Sequence, residues 1–275
     1  MRYVADDGAI RLDGVHLAYN RGRADEVRAL NGIDLSVGPG EFVTVVGSNG
    51  AGKSSLVQVI AGTARPTAGT VTLAGRDVSR AADHSRAGLV ARVFDDPRVG
   101  TAPELSIEDN IALAMGRGRR RGLRRATTGN RRRIMRDRLA ALGLGLEHRL
   151  HEPVGLLSAG QRQSLTLIMA ALGAPAVLLL DEHLAALDPV TARRILDLTS
   201  AVVAEMSCAT LMVTHNMDHA LNLGHRLLVM SRGVIVADVG GSAKRSLGSN
   251  DVIDLITGNG DIVSDRIVLR ELVPA

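Results

Sequence analysis

The segment that most restricts the possible folds is residues 47–54, which read GSNGAGKS. The apolar run EFVTVV precedes it and a helical pattern, KSSLVQVIA, continues from it, so the sequence predicts a strand, a glycine-rich loop and a helix in succession. Glycines allow backbone N–H groups to curl around an anion, and a helix N-terminus adds partial positive charge. A glycine-rich turn that held Lys-Ser by coincidence would need neither neighbour. We therefore predict that this loop binds the phosphates of a nucleotide.

Two side chains at the end of the loop have the chemistry that a nucleotide triphosphate requires. Lys53 can reach the β- and γ-phosphates, and the hydroxyl of Ser54 can ligate Mg²⁺. Lysine is otherwise rare here, since Lys53 and Lys244 are the only two in the chain. ATP and Mg²⁺ are the expected cofactors, with Lys53 among the catalytic residues.

A second apolar run, VLLLDE, ends in two adjacent carboxylates, Asp181 and Glu182. In phosphate-loop ATPases an aspartate at a strand end holds Mg²⁺ from the other side, and Asp181 fits that role. Glu182 is then placed to orient and polarise the attacking water. Its alternative role, capping the helix predicted at 189–206, suits Asp188 better because Asp188 directly precedes Pro189.

Short apolar runs bounded by Gly, Pro, Asp or Asn alternate with helical patterns over much of the chain. This alternation predicts an α/β fold with a parallel sheet. The first runs have no helix between them, which predicts a small antiparallel sheet. Residues 99–174 break the alternation and are predicted to be mostly helical. Helices are predicted at 53–61, 131–142, 158–172, 189–206 and 216–222.

Residues 157–163 read LSAGQRQ, and with this segment the chain resembles the ATP-binding subunits of ABC transporters along nearly its whole length. The order of an upstream aromatic, the phosphate loop, this signature, the acid pair, ALD and a histidine matches that family. The family usually has Leu-Ser-Gly-Gly-Gln, whereas here Ala159 replaces the first glycine. A methyl group there is a mild departure if φ is negative and a clash if φ is positive.

The resemblance implies that two such domains pair head to tail, with ATP held between the phosphate loop of one and the signature of the other. The segment 184–188, LAALD, would cross that interface. Tyr19 takes the position of the aromatic that stacks on adenine, although a core aromatic is an alternative. His215 takes the position of the histidine that contacts the γ-phosphate, and is counted as catalytic with Glu182.

The resemblance also gives the full set of expected nucleotide contacts. Besides Tyr19, these are Gly47, Ser48, Asn49, Gly50, Ala51, Gly52, Lys53, Ser54 and Ser55 in the loop, and Ser158, Gly160 and Gln161 in the signature.

One residue departs from the family in a way that concerns the metal. In RVFDDP, Asp95 stands where the family usually has a glutamine that touches Mg²⁺ and the attacking water. A carboxylate can ligate Mg²⁺ more strongly than an amide, so Asp95 joins Ser54 and Asp181 as an expected metal ligand. We expect turnover to be reduced or more metal-dependent, not lost.

The combined prediction is an α/β phosphate-loop ATPase core with a parallel sheet, an N-terminal antiparallel β-subdomain and an inserted α-helical subdomain. Residues 1–98 would form the first half of the core, and 99–174 the helical subdomain with the signature. Residues 175–240 would form the second half, with the acid pair and the histidine. Residues 241–275 are a C-terminal extension without an interpretable motif.

The spelling Asp181-Glu182-His183-Leu184 replaces the usual Asp-Glu-Pro-Thr and resembles a branch that serves uptake systems, some described as tryptophan or tyrosine importers. The implied partners are a membrane permease, a second nucleotide-binding subunit and a substrate-binding lipoprotein. The second subunit is expected to be another copy of this chain, with a sibling subunit as the alternative, and the chain is expected to be peripheral on the cytoplasmic face of the membrane. The alternatives are a soluble ABC ATPase acting on ribosomes or nucleic acid, and a pseudo-ATPase regulator. A single phosphate loop, a single signature and no heptad run disfavour the first of these.

Composition limits the remaining possibilities. The single cysteine, Cys208, excludes a disulfide framework, and we expect neither a signal peptide nor a membrane span. The net charge is +4, yet residues 116–138 alone hold eleven arginines and one acid. This segment is interpreted as a solvated basic face, as a surface for anionic lipid, or as a nucleic-acid surface. No aromatic is interleaved for base stacking, so a nucleic-acid partner is not expected.

Overall fold

The computed structural model describes residues 8–118 and 126–257 of the chain. Within them, 8–83 and 208–257 form one compact unit, and the described part of 84–207 forms a second. The arginine-rich segment and the C-terminal extension therefore lie partly outside the described residues. None of the helices in these residues is long and apolar enough to cross a lipid bilayer.

The strands, in chain order, are β1 (Ile10–Tyr19), β2 (Val27–Val37), β3 (Phe42–Gly47), β4 (Ala68–Leu73), β5 (Arg76–Asp77), β6 (Val90–Val93), β7 (Val177–Asp181), β8 (Ala209–Val213), β9 (Arg226–Ser231) and β10 (Val234–Gly240). The helices are α1 (Lys53–Ala61), α2 (Asp83–Arg86), α3 (Ile107–Met115), α4 (Gly129–Ala140), α5 (Ala159–Leu172), α6 (Pro189–Glu205), α7 (Met217–Asn222), α8 (Gly241–Arg245) and α9 (Ser249–Thr257), with 3₁₀ turns at Leu146–His148 and Val154–Leu156.

The first unit contains an antiparallel sheet in the order β2-β1-β4-β5. Leu12 of β1 pairs with Leu35 on one side and with Val71 on the other. All three side chains are buried, because alternate residues of a strand point to the same face and these strands carry their apolar residues on one face. This is the antiparallel subdomain that the first apolar runs predict.

A second set of strands in the first unit lies in the order β10-β9-β3-β8. Strand β3 is parallel to both β8 and β9, and all six of its residues are buried. Val45 pairs with Val213, so the carboxyl ends of β3 and β8 lie at the same edge. Ligand sites of open α/β sheets form beyond the carboxyl ends of the strands, and the phosphate loop begins there.

The second unit contains the parallel pair β6 and β7, in which Val93 is opposite Leu180. Its helices α3, α4 and α5 surround an apolar cluster and lie in the region that the sequence predicts to be mostly helical. Ser106 caps α3 by accepting a hydrogen bond from the backbone N–H of Asp109. The fully buried residues of the cluster include Ile107, Ile111, Met135, Leu139, Leu146, Val154 and Leu165.

The end of the described chain has a packing role that the sequence did not reveal. Helix α9 places Val252 and Leu255 against Val46 of β3, Leu227 and Val229 of β9, and Ala220 of α7. Helix α8 buries the second lysine, Lys244, whose Nζ donates hydrogen bonds to the carbonyl oxygens of Leu223 and, at 3.2 Å, Gly224. It also lies 3.4 Å from Thr44 Oγ1. Residues 241–257 therefore pack against β3, the strand that precedes the phosphate loop.

The ammonium of Lys244 should make stability depend on pH. Burial lowers the pKa of Lys244 from 10.5 to about 8, so the unfolded chain binds this proton more tightly than the folded protein does. Between pH 8 and pH 10.5 the folded protein loses the proton while the unfolded chain keeps it, and the cost of burying the charge disappears. We expect the free energy of unfolding, relative to Lys244→Met, to rise on the order of 1 kcal/mol between pH 7.5 and 9.5 after allowing for solvent screening. Urea titrations at both pH values measure this, and parallel behaviour of the two proteins would contradict it.

The predicted fold class is confirmed, and strands β1–β4 and β6–β10 correspond to the short apolar runs of the sequence. Strand β2 begins at Val27, earlier than the apolar pattern indicates, and the two-residue strand β5 was not predicted. Helices α2, α3, α8 and α9 were not predicted individually, since each is short and short helices depend on tertiary packing.

Candidate active site

The phosphate loop connects β3 to α1, as predicted, and glycine is required at both of its ends. A Cβ on Gly47 would lie 2.3 Å from the carbonyl oxygen of Met230, and one on Gly52 would lie 2.6 Å from that of Ala29. Gly52 also has a φ of 100°, which L side chains rarely adopt. The backbone can therefore follow the tight path of a phosphate-binding loop only without side chains at these positions.

Lys53 is the first residue of α1, and its side chain is folded back over the loop. Its Nζ is buried and donates to the carbonyl oxygens of Gly47 at 2.8 Å and Ser48 at 3.0 Å. Ser54 follows in the first turn of the same helix. The loop thus places an ammonium and a hydroxyl beside the N–H groups of a helix N-terminus, which is a suitable set for a triphosphate and its metal.

Tyr19 lies at the end of β1, next to the same helix. Its hydroxyl donates to Gln58 Oε1 at 2.9 Å and lies 3.4 Å from Ser55 Oγ. The residue is 39% exposed, so the alternative of a core aromatic is wrong. A ring anchored through its hydroxyl and open to solvent can still stack on a base.

His215 lies two residues beyond β8, at the carboxyl edge where β3 ends in Gly47. It is exposed, and the next residue, Asn216, begins helix α7 by capping it. The structure therefore brings His215 and the phosphate loop to the same edge of one set of strands.

The acid pair lies in the second unit, at the end of β7. The strand is wholly buried, Asp181 is its last residue, and Glu182 follows with a φ of 49°. A left-handed backbone at a residue with a Cβ costs about 1 kcal/mol or more, and such strain is concentrated at functional sites. Asp188 caps α6 by accepting from the N–H groups of Val190 and Thr191, which confirms that Glu182 is not needed as the cap.

Asp181 has a partner that the sequence did not predict. Arg92 Nη2 on β6 donates to Asp181 Oδ2 at 2.5 Å, and the guanidinium lies over the ring of Phe94, 4.5 Å from its centroid. The two charged side chains are only 17% and 13% exposed. The sequence did contain a signal for this pair. An arginine interrupts the apolar run of β6, and the neighbouring strand β7 ends in acids.

The signature occupies the N-terminus of α5. Ser158 is the cap, with its Oγ accepting from Gln161 N at 3.2 Å while Gln161 Oε1 accepts from Ser158 N at 3.1 Å. The hydroxyl of Ser158 keeps its own proton to donate. Ala159 lies within the right-handed helix α5 and has a negative φ, so alanine in place of the family's glycine is only a mild departure.

Comparison with known proteins identifies the family. A family model described as ABC transporter matches residues 30–185. The chain belongs to the ABC transporter ATP-binding family. It is 39% identical over 222 residues to a tyrosine transport ATP-binding protein of Clostridioides difficile, covering 81% of this chain and 88% of that protein. It is 34% identical to the methionine import ATP-binding protein MetN of Streptomyces coelicolor, covering 94% of this chain and 74% of that protein.

A solved structure agrees with the family assignment. The dimeric structure of a post-hydrolysis state of the ATP-binding cassette MJ0796, bound to ADP and Pi, is 25% identical and has a TM-score of 0.71. The match covers 84% of this chain and 98% of that chain. The protein is accordingly an ABC-type ATPase that binds and hydrolyses ATP.

Gly160 of the ABC signature is also required for helix packing. A Cβ there would lie 2.4 Å from Thr191 Cγ2, at the point where α5 meets α6. The hydroxyl and backbone N–H of Thr191 bind Asp188 and lower the pKa of that carboxyl. The methyl group of Thr191 therefore occupies the space that a Cβ at position 160 would need.

We expect Gly160→Ala to destabilise the protein by about 1 kcal/mol, because overpacking outweighs the gain in helix propensity. Adding Thr191→Ser removes the clashing methyl and keeps the hydroxyl that bonds Asp188, so the double variant should recover the stability of Thr191→Ser alone. Urea unfolding of the four proteins measures the coupling. A double variant as unstable as Gly160→Ala would show that the strain lies elsewhere.

Asp95 lies just beyond β6, is exposed, and borders a cleft of about 520 Å³. Ala159 of the signature and Ala185 of the LAALD segment line the same cleft, so three motifs that are distant in sequence meet there. In the described residues, no group of three or more His, Cys, Asp or Glu side chains converges to hold a metal ion. Asp95, Asp181 and Glu182 therefore do not form an all-carboxylate metal cage.

Proposed function

We propose that this ABC ATPase powers substrate import by a membrane transporter. The observation that carries the proposal is the similarity to ATP-binding proteins of transport systems for tyrosine and methionine, together with the Asp181-Glu182-His183 spelling of the acid pair. The transport and import functions of these relatives favour a transporter ATPase over a soluble ATPase acting on ribosomes or nucleic acid. The complete set of Lys53, Asp181, Glu182 and His215 disfavours a pseudo-ATPase.

The residues present suit Mg²⁺·ATP. Hydroxyl and carboxylate oxygens are hard ligands, and Mg²⁺ is commonly held by one or two such groups and by nucleotide phosphates instead of a protein cage. We assign Ser54 and Asp181 to the metal, which would polarise the phosphate oxygens. Lys53 neutralises charge on the phosphates, Tyr19 stacks on adenine, and the loop N–H groups orient the triphosphate.

The remaining residues act on the water and on the γ-phosphate. Glu182 accepts a proton from, and orients, the attacking water, because its carboxylate follows the buried strand that fixes Asp181. His215 donates to the γ-phosphate from the edge that it shares with the phosphate loop. Ser158, Gly160 and Gln161 bind the γ-phosphate of ATP held by a second subunit, so hydrolysis requires a head-to-tail dimer.

The same proposal places the chain on the cytoplasmic face of the membrane, bound to a permease and served by a substrate-binding lipoprotein.

Two of the arginines in segment 116–138 form ion pairs within their own unit, Arg132 with Glu108 at 2.7 Å and Arg138 with Glu205 at 2.5 Å. These pairs favour the interpretation of a solvated basic face. Residues 119–125 of the segment lie outside the described residues.

Asp95 gives a testable consequence for the metal. If its carboxylate assists in holding Mg²⁺, Asp95→Gln should restore the family residue, raise kcat a few-fold and shift the Mg²⁺ dependence of ATP hydrolysis. Asp96→Asn is the matched control, because Asp96 borders the same cleft but its carboxylate is held by Arg98. Coincident rates and Mg²⁺ curves for Asp95→Gln and the parent would remove Asp95 from the metal ligands.

The transporter proposal is tested by capture of partners. Tagged Glu182→Gln protein, expressed in its host, binds ATP without hydrolysing it and should retain a multi-span permease from detergent-solubilised membranes, identified by mass spectrometry. Lys53→Ala/Glu182→Gln is the control, because it cannot hold ATP. Recovery of ribosomal proteins without a permease would overturn the proposal and favour the soluble alternative.

A further inference from the structure

The ion pair between Arg92 and Asp181 joins a cation to the carboxylate that the proposed function assigns to Mg²⁺. Both side chains belong to the second unit, on the adjacent parallel strands β6 and β7. The contact is made through one carboxylate oxygen, Oδ2, at 2.5 Å. With both side chains largely shielded from water, the guanidinium charge is felt strongly by any second cation that approaches the same carboxylate.

The guanidinium does not depend on Asp181 alone for its position. It lies over Phe94 at 4.5 Å from the ring centroid, a cation–π arrangement. Its Nε is buried without a hydrogen-bond partner among the described residues. A guanidinium held by an aromatic face can stay in place while the Asp181 carboxylate turns towards a different cation.

We propose that Arg92 competes with Mg²⁺ for the carboxylate of Asp181. This competition sets the Mg²⁺ concentration that nucleotide binding requires. Without the metal, Arg92 compensates the Asp181 carboxylate at the end of a buried strand. With the metal, that positive charge remains close to a divalent cation and weakens its binding. This inference rests on the proposed role of Asp181 in the nucleotide site.

The competition predicts a specific change when the charge is removed. Arg92→Gln keeps a hydrogen-bond donor but loses the positive charge, whereas Arg92→Lys keeps the charge. In Arg92→Gln, the free Mg²⁺ concentration at half-maximal nucleotide binding should fall roughly tenfold. In Arg92→Lys it should stay near that of the parent. Affinity for nucleotide in excess EDTA should not rise in Arg92→Gln, because the loss of a positive charge cannot favour binding of the polyanionic nucleotide when the metal is absent.

The experiment uses the full chain with Glu182→Gln as background, so that nucleotide is not consumed. Binding of trinitrophenyl-ATP is followed by fluorescence while free Mg²⁺ is titrated, and thermal unfolding in EDTA confirms that each variant is folded. If Arg92→Gln does not fold, Arg92→Met serves instead, since its thioether can pack on Phe94 and it is also neutral.

The outcomes separate the inference from the function on which it rests. A tenfold lower Mg²⁺ midpoint in the neutral variant, with the lysine variant unchanged, supports the competition. A midpoint that is unchanged or higher in the neutral variant overturns it, as does an equal decrease in Arg92→Lys. If the parent binds the probe no better than Lys53→Ala at any Mg²⁺ concentration, the proposed nucleotide site itself is wrong and the inference is rejected with it.

Discussion

Glu182→Gln is expected to reduce ATP hydrolysis at least about 100-fold while the protein still folds and binds nucleotide. The amide has the size of the carboxylate but cannot accept the proton of the attacking water. The strained φ of 49° belongs to the backbone and is the same for both residues, so the substitution adds no new strain. Phosphate release under saturating Mg²⁺·ATP measures the loss, and fluorescent nucleotide binding should change by less than a few-fold.

The matched control is Glu205→Gln, which removes a carboxylate from the end of α6. Glu205 is paired with Arg138, and that pairing lowers its pKa, but it has no part in the proposed chemistry. A surface ion pair of this kind contributes little to stability, so its loss should leave the rate within about twofold of the parent. Retention of more than a tenth of the parent rate in Glu182→Gln would show that a different group receives the proton.

The sequence predicted those parts of the site that local chemistry specifies. The phosphate loop needs glycines, a lysine and a serine within eight residues. These could be recognised because a strand pattern precedes them and a helix pattern follows them. The cap formed by Asp188 before Pro189 was predicted for the same reason, since a cap and its helix are neighbours in the chain. The capping of α3 by Ser106, three residues before Asp109, was equally local and could have been predicted.

Other features could not be predicted because they depend on tertiary pairing. Arg92 and Asp181 are separated by 89 positions, and only the register of β6 against β7 brings them together. The close approach of Gly160 to Thr191 depends on how α5 packs on α6. The burial of Lys244 depends on two short helices at the end of the described chain, for which the sequence offered no motif.

Gln163 is the residue whose loss should most clearly separate stability from catalysis. It lies one turn into the signature helix, is fully buried, and donates from Nε2 to the carbonyl oxygens of His183 at 2.6 Å and Phe94 at 3.1 Å. His183 directly follows Glu182, and Phe94 directly precedes Asp95. The Gln163 amide therefore fixes the backbone next to Glu182 and the backbone next to Asp95 relative to the signature helix.

We expect Gln163→Leu to destabilise the protein by about 2–4 kcal/mol, because two carbonyl groups lose a donor and an apolar group replaces it. We also expect kcat for ATP hydrolysis to fall about 10–100-fold at temperatures well below Tm, since a displacement of about 1 Å at the reacting groups has this effect. The KM for ATP should change little, because the phosphate loop belongs to the other compact unit.

Thr166→Val is the control for a purely structural effect. Thr166 Oγ1 donates to the carbonyl oxygen of Gln163 at 2.8 Å and lies 3.4 Å from Gln163 Oε1. Its loss therefore perturbs the same helix and the same amide but keeps the Nε2 donor that holds the backbone beside the acids. Both variants are compared in urea unfolding and in kcat at an equal interval below their own Tm. If kcat falls equally in both, Gln163 is a packing residue only. If it falls selectively in Gln163→Leu while KM is kept, the signature helix holds Glu182 in its catalytic position through this amide.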